Sequence, residues 1–136
     1  MKKIILIGIA GGTGSGKTSV SNAILAEFPP SEVVLIQQDS YYNDLKHLDF
    51  DERATVNFDH PDAVDFDKMG NDLKLLMNGE VVKVPIYDFN THTRTNETVT
   101  IGNHHIIVLE GILALFDEKI RTMMDIKLYV DTPDDI

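Results

Sequence analysis

Residues Gly11-Gly12-Thr13-Gly14-Ser15-Gly16-Lys17-Thr18 spell G-x-x-x-x-G-K-T, and they follow the apolar run Ile4-Ile5-Leu6-Ile7-Gly8-Ile9-Ala10. Glycines at this density let the backbone curl until successive N–H groups point inward at an anion. A helix opening at Lys17 would add the positive end of its dipole. This is the P-loop pattern, in which Lys17 reaches the β- and γ-phosphates of a nucleotide and the Thr18 hydroxyl coordinates Mg2+. The pattern demands a strand before it and a helix after it. The β-branched run bounded by glycines therefore reads as a buried parallel strand. At average composition such a match arises by chance in a chain of this length on the order of once in a few hundred. The bland alternative is a glycine-rich turn with no ligand. The candidate nucleotide-binding residues are Gly11, Gly12, Thr13, Gly14, Ser15, Gly16, Lys17, Thr18 and Ser19. Lys17 is the only basic residue between Ile4 and Leu45, so the positive charge of the segment is concentrated at the loop.

That concentration matters because the chain as a whole is acidic. Its 136 residues carry 22 acidic and 12 basic side chains, a formal net charge of −10. Such a balance argues against a general nucleic-acid or membrane-surface binder, since either wants a basic patch. Phosphate binding must come from local geometry instead. With no cysteine, a disulfide framework and thiolate metal sites are excluded. Met1-Lys2-Lys3 followed by the apolar run resembles a short signal peptide. The run is near the lower length limit, however, no A-x-A-type site follows, and it leads straight into the glycine loop. No other apolar run approaches the ~20 residues that cross a bilayer. These features predict a soluble, cytoplasmic, single-domain protein with no membrane partner.

Along the rest of the chain, strands and helices alternate. Lys17 to Phe28 reads as a helix with Val20, Ile24 and Leu25 on one apolar face, extended by Ala23 and Phe28 and ended by Pro29-Pro30. Val33 to Ile36 is a second buried strand leading into Gln37-Gln38-Asp39-Ser40-Tyr41-Tyr42. A short helix is predicted near Asp51 to Thr55. A longer one runs from Phe66 to Met77, with Met69, Leu73, Leu76 and Met77 at helical spacing and Asn78-Gly79 as its stop. Val81 to Tyr87 and Glu97 to Ile101 read as a hairpin joined by Asp88 to Asn96. Ile106 to Leu109 is a third buried strand, Asp117 to Met123 a helical stretch, and Ile126 to Val130 a fourth buried strand. Alternation of this kind implies parallel pairing with right-handed crossovers. The predicted class is α/β, a parallel sheet flanked by helices with a β-hairpin insertion.

Ligands in such sheets sit beyond the carboxyl ends of the strands, and three predicted strands end in an acid: Asp39, Glu110 and Asp131. A P-loop enzyme needs a carboxylate to hold or orient Mg2+ beside the loop. A carboxylate off the metal can take a proton from an acceptor hydroxyl. The candidate metal-holding set is Thr18, Glu110 and Asp39, and the candidate catalytic residues are Asp39 and Lys17. Each acid could instead cap a loop or helix. Asp131 favours that role, because Thr132-Pro133-Asp134-Asp135 offers a helix start. Among the remaining features, His104-His105 reads as a loop pair without metal-ligand spacing. Met123-Met124 reads as core filler and Asp49 to Glu52 as a solvated face.

Several further segments carry a family resemblance. They are Gly8 to Thr18, Gln38-Asp39-Ser40-Tyr41-Tyr42, Asn57-Phe58-Asp59-His60-Pro61-Asp62-Ala63, Pro85-Ile86-Tyr87-Asp88-Phe89, His92-Thr93-Arg94, Glu97-Thr98-Val99, Leu109-Glu110-Gly111-Ile112-Leu113 and Val130-Asp131-Thr132. In this order they cover essentially the whole chain. It resembles the uridine kinases (uridine–cytidine kinases), P-loop enzymes of pyrimidine salvage that phosphorylate a nucleoside at its 5′-hydroxyl.

The resemblance implies ATP or GTP as donor with Mg2+, and UMP or CMP as product. It implies Asp39 as the base for the 5′-hydroxyl and Asp59 as acceptor of hydrogen bonds from the ribose hydroxyls. Tyr87 and His92 would contact the pyrimidine, with Phe89 as an aromatic wall and Tyr42 nearby. Arg94 would support this substrate site, and Glu110 would be the acidic Mg2+ partner. Read without the resemblance, Tyr87 and Phe89 are equally hairpin core residues and His92 a surface loop histidine. The family also implies a homo-oligomer. Its pattern continues past Val130-Asp131-Thr132 with a long helix, an arginine-rich lid, another strand and C-terminal helices. The expectation is therefore a domain cut as its next helix begins, without lid and C-terminal helices, and impaired when alone. Two other functions remain open at this stage: a P-loop kinase for another acceptor, such as the phosphoribulokinase- and pantothenate kinase-like proteins, and a non-catalytic nucleotide-binding module.

Overall fold

The computed structural model of the chain describes residues 3–12, 16–57, 60–88, 90–91 and 93–131. Strands β1 (Ile5–Ala10), β2 (Val33–Gln37), β5 (Ile106–Glu110) and β6 (Ile126–Tyr129) form one sheet in the order β2-β5-β1-β6. All of its ladders are parallel. Strands β3 (Val82–Asp88) and β4 (Thr93–Ile101) form a separate antiparallel hairpin. The helices are α1 (Lys17–Ala26), α2 (Phe50–Ala54), α3 (Phe66–Met77) and α4 (Glu118–Met123).

The two faces of the sheet bury two different sets of side chains, as strand periodicity requires. Ile7, Ile9, Val33 and Val108 face one way, and Val20, Ile24 and Leu25 of α1 pack against them. Leu6, Ile36, Ile107 and Leu109 face the other way, against Met69, Leu73 and Leu76 of α3 and Ile120 of α4. Both faces are therefore covered, the normal condition of a parallel sheet. The hairpin joins the second layer through Val82, Val84, Tyr87 and Ile101.

Helix α3 has the predicted bounds because its signals are local. The Asp65 side chain accepts the Lys68 N–H at 3.1 Å, capping the start. At the other end Gly79 adopts φ 85°, and the Gly79 and Glu80 N–H groups bond Leu76 O and Leu75 O at 3.0 Å. That is a Schellman-type stop, for which glycine is suited by its freedom at positive φ.

Three expectations need correction. Helix α1 ends at Ala26, where the Glu27 N–H turns back to Ile24 O at 3.1 Å, so Phe28 lies beyond it and is 40% exposed. Ala23 is exposed as well and does not extend the apolar face. Strand β4 begins at Thr93 and not at Glu97. The ladder continues to Asp88↔Thr93 past an irregularity between Pro85 and Tyr87, although the added residues are polar. Strand β6 is not buried: Ile126 is 45% and Tyr129 68% exposed. It pairs only with β1 and forms an edge of the sheet among the described residues.

Candidate active site

The sheet register sets the site. Ile9 of β1, Glu110 of β5 and Gln37 of β2 stand side by side in one row. Past that row β1 delivers the glycine loop and β2 delivers the turn carrying Asp39, while β5 places an acid between them. This is the carboxyl edge where open α/β sheets bind ligands.

On the β1 side, Gly16 precedes α1 with φ 94°, a left-handed conformation that any residue with a Cβ would strain. Lys17 and Thr18 form the first turn of α1. The Thr18 hydroxyl donates to Glu110 Oε1 at 2.9 Å. Glu110 is only 5% exposed, and its Oε2 is buried without a hydrogen-bond partner among the described residues. A buried carboxylate oxygen left bare is costly unless something else engages it. The donors here are hard oxygens, and Mg2+ characteristically takes one or two carboxylates and completes its shell with phosphates and water. Among the described residues no group of three or more acidic or histidine ligands gathers. A hydroxyl and a carboxylate are donors of the kind that Mg2+ takes from a protein while phosphates and water supply the rest.

On the β2 side, Asp39 sits in a 3-10 turn, Gln38–Tyr41, and is half-buried. With Ser40, Pro85, Ile86 and Tyr87 it lines a cavity of about 330 Å3 between this turn and the hairpin. Tyr87 is 6% exposed and belongs to the core cluster as well as to the cavity wall. Burial, reinforced by the negative charge of Asp44, pushes its phenol up to about 12, so it stays protonated near neutrality. Tyr42 meets Tyr87 edge to face, with ring centroids 5.4 Å apart. Such a contact fixes both rings.

Arg94 stands on β4 and is not among the residues that line the cavity. Its Nε donates to Tyr42 O at 3.2 Å and its Nη2 to Asp65 Oδ2 at 2.8 Å. The guanidinium thus ties the hairpin to the Asp39 turn and to the start of α3. Of the other sequence-level candidates, Gly11 is buried, whereas Gly12, Gly16 and Ser19 are exposed. Asp131 is exposed beyond β6. Thr13, Gly14, Ser15, Asp59, Phe89 and His92 lie outside the described residues, as do 132–136. His105 bonds Glu32 at 2.5 Å at the opposite end of the sheet, and Met124 is core.

Three supporting contacts escaped the sequence reading. The buried Tyr41 hydroxyl donates to Asp72 at 2.8 Å, Asp65 receives Arg94, and the buried Gln38 side chain accepts the Leu113 N–H at 2.6 Å. Asp72 carried a usable signal, a charged residue within the apolar stripe of α3. Asp65 offered only its capping position, and Gln38 none.

A threonine hydroxyl at the mouth of a glycine loop, bonded to the acid that ends the neighbouring strand, is the working edge of the P-loop nucleotide-binding class. Within that class the sequence profile of the phosphoribulokinase / uridine kinase family matches residues 6–136, and the chain belongs to this family. The uridine kinase of Streptococcus pyogenes serotype M5 (strain Manfredo) is 53% identical over 136 residues, all of this chain and 65% of the relative. The chain thus spans slightly less than two thirds of that relative's length. A possible uridine kinase from Bacillus stearothermophilus superposes with a TM-score of 0.75 at 22% identity, over 98% of this chain and 74% of the other. Phosphoribulokinase from Rhodobacter spheroides gives a TM-score of 0.67 at 16% identity, over 95% and 51%. At these identities the two structures speak for the fold alone. No helix among the described residues is long and apolar enough to cross a membrane.

Proposed function

We propose that the protein carrying this chain transfers the γ-phosphoryl group of ATP or GTP to the 5′-hydroxyl of uridine or cytidine, giving UMP or CMP. The Thr18–Glu110 bond at 2.9 Å, on the edge that also bears Asp39, is the observation that carries phosphoryl transfer. The 53% identity to a streptococcal uridine kinase supports the nucleoside acceptor. In this reading the glycine-loop N–H groups and Lys17 hold the donor phosphates. Thr18 and Glu110 are the residues that would hold Mg2+, which when bound would neutralise charge on the β- and γ-phosphates and leave Asp39 off the metal. Asp39 accepts the acceptor hydroxyl's proton as the new O5′–P bond forms and the bond from Pγ to the β–γ bridging oxygen breaks.

Asp59 binds the ribose hydroxyls, and Tyr87 and His92 contact the pyrimidine. Phe89 walls the base with Tyr42 nearby, and Arg94 supports the site through its bond to Tyr42 O. The net charge of −10 supports small-molecule partners over nucleic acid. A cytoplasmic homo-oligomer is the setting that the family resemblance supports.

The test is a thermal-shift and calorimetric screen of Mg-ATP, Mg-GTP, uridine, cytidine, ribulose 5-phosphate and pantothenate, followed by a coupled assay for turnover. Stabilisation by a nucleotide and by uridine or cytidine is expected. A response to ribulose 5-phosphate or pantothenate and to neither nucleoside would reassign the acceptor. Mg-ATP binding with no transfer to any acceptor would leave a nucleotide-binding module in place of a kinase.

A further inference from the structure

One side chain joins the turn that carries Asp39 to the turn that follows Glu110. Gln38 directly precedes Asp39 and is 1% exposed. Its Oε1 accepts the Leu113 N–H at 2.6 Å. Its packing is equally close. A Cβ added at Gly111 would collide with Gln38 Cβ and lie 2.5 Å from Oε1. Gly111 in turn is fixed to the glycine-loop strand, its N–H bonding Ile9 O at 3.0 Å. The residue type fits the place. The buried Gln38 Oε1 is satisfied by the Leu113 N–H that donates to it, and the amide adds no charge beside Glu110. An apolar side chain of the same length would fill the space and leave that N–H bare.

We propose that Gln38 is a positioning residue whose amide clamps the Asp39 turn onto the Gly111–Leu113 turn, setting the spacing between Asp39 and Glu110. The inference rests on the phosphoryl-transfer reading for the roles of those two acids. It also gives Gly111 a reason: any side chain there displaces the clamp. Partners that orient metal-side carboxylates without touching the metal affect affinity or turnover strongly. Small displacements of reacting groups do the same.

The experiment uses Gln38→Met and, independently, Gly111→Ala in the full chain, with circular dichroism confirming the fold. Mg2+ is titrated against ATP binding by calorimetry. The concentration for half-maximal binding should rise about tenfold in each variant, while metal-free ATP affinity moves less than about twofold. In the coupled assay kcat should fall about tenfold or more with the KM for uridine nearly constant. The double variant should be no worse than the poorer single one, because both loosen the same joint. Faster exchange of the Leu113 amide in Gln38→Met would locate the loss at the clamp.

A folded Gln38→Met with wild-type Mg2+ dependence and unchanged Leu113 exchange overturns the proposal. If Gln38→Met does not fold, a folded Gly111→Ala with wild-type Mg2+ dependence overturns it equally. An unaltered chain that binds no Mg-ATP refutes the underlying reading instead, and the clamp with it. That failure appears in the wild type, whereas failure of the clamp alone appears only in the variants.

Discussion

Removing one hydroxyl from the core should measurably weaken the fold, and a second, apolar substitution should restore most of the loss. Tyr41 is 0% exposed, and its hydroxyl donates to Asp72 Oδ2 at 2.8 Å. Asp72 is 7% exposed, and its other bond is to Lys68 Nζ at 3.4 Å. Tyr41→Phe changes little volume but deprives a buried carboxylate of its short donor. A hydrogen bond to a charged group contributes about 1.5–3 kcal/mol, so the expected loss is about 2 kcal/mol. For a chain of this size that lowers Tm by roughly 6–8 °C.

Asp72 shares the buried face of α3 with Met69, Leu73 and Leu76, so leucine can fit there. Replacing both partners by apolar groups removes the desolvation penalty together with the bond. Tyr41→Phe/Asp72→Leu should therefore lie within about 1 kcal/mol of the wild type, more stable than Tyr41→Phe alone. Burial, followed by the charge and hydrogen bond of Asp72, raises the Tyr41 phenol far above its ordinary 10.0. A raised folded value means that the contribution is complete below pH 10.0 and is lost progressively as pH climbs from there through the folded value. Alkali up to pH 10.0 should leave the Tyr41→Phe deficit unchanged, and stronger alkali should shrink it. Urea unfolding followed by circular dichroism measures all of these. A double variant as unstable as the sum of its single changes would refute the reasoning.

Three more perturbations address the site. Asp39→Asn should lower kcat by more than about 100-fold while calorimetry still detects uridine, and near-normal turnover would remove Asp39 as the base. Thr18→Val deletes the hydroxyl that meets Glu110. The Mg2+ needed for ATP binding should then rise about tenfold, and an unchanged titration would take Thr18 off the metal. Burial alone would raise the Asp65 carboxyl, but the Arg94 hydrogen bond and the Lys68 N–H outweigh it and hold it below its ordinary 3.8. A lowered folded value gives stability above the ordinary carboxyl range that is lost as pH falls through the folded value. Arg94→Met should therefore cost about 1 kcal/mol in urea at neutral pH and less near pH 3, and an equal deficit at both would contradict this origin.

The parts legible in the sequence are those whose causes lie close together along the chain. Lys17 and Thr18 follow from eight consecutive residues, and the ends of α3 follow from Asp65 and Gly79. Glu110 followed from a rule almost as local, that an acid directly after a buried strand faces the ligand edge. Contacts between distant positions were not legible. Tyr41 and Asp72 are 31 positions apart and Gln38 and Leu113 are 75 apart, and only the tertiary fold brings them together. Strand β6 was misjudged for a different reason. Ile126, Leu128 and Val130 give it the apolar content of a buried strand, yet Lys127 and Tyr129 alternate with them, the mark of a strand covered on one face at most. The polar start of β4 carries no hydrophobic signal at all, and its pairing is maintained by the backbone ladder to β3.

The strand order also dictates when the site can exist during folding. β1 and β2 share no ladder; β5 stands between them and is drawn from residues 106–110. The hydroxyl and carboxylate that meet at 2.9 Å are 92 positions apart. A nascent chain that has released the glycine loop, the Asp39 turn and the whole hairpin still has no means of bringing the first two together. Such non-local closure is slow and comes late. On the proposed reading, ATP with Mg2+ would find its full binding edge only once the central strand is seated, and would from then on stabilise the native state alone. Nucleotide binding by this chain, if the proposal holds, would be a direct report that the sheet has closed.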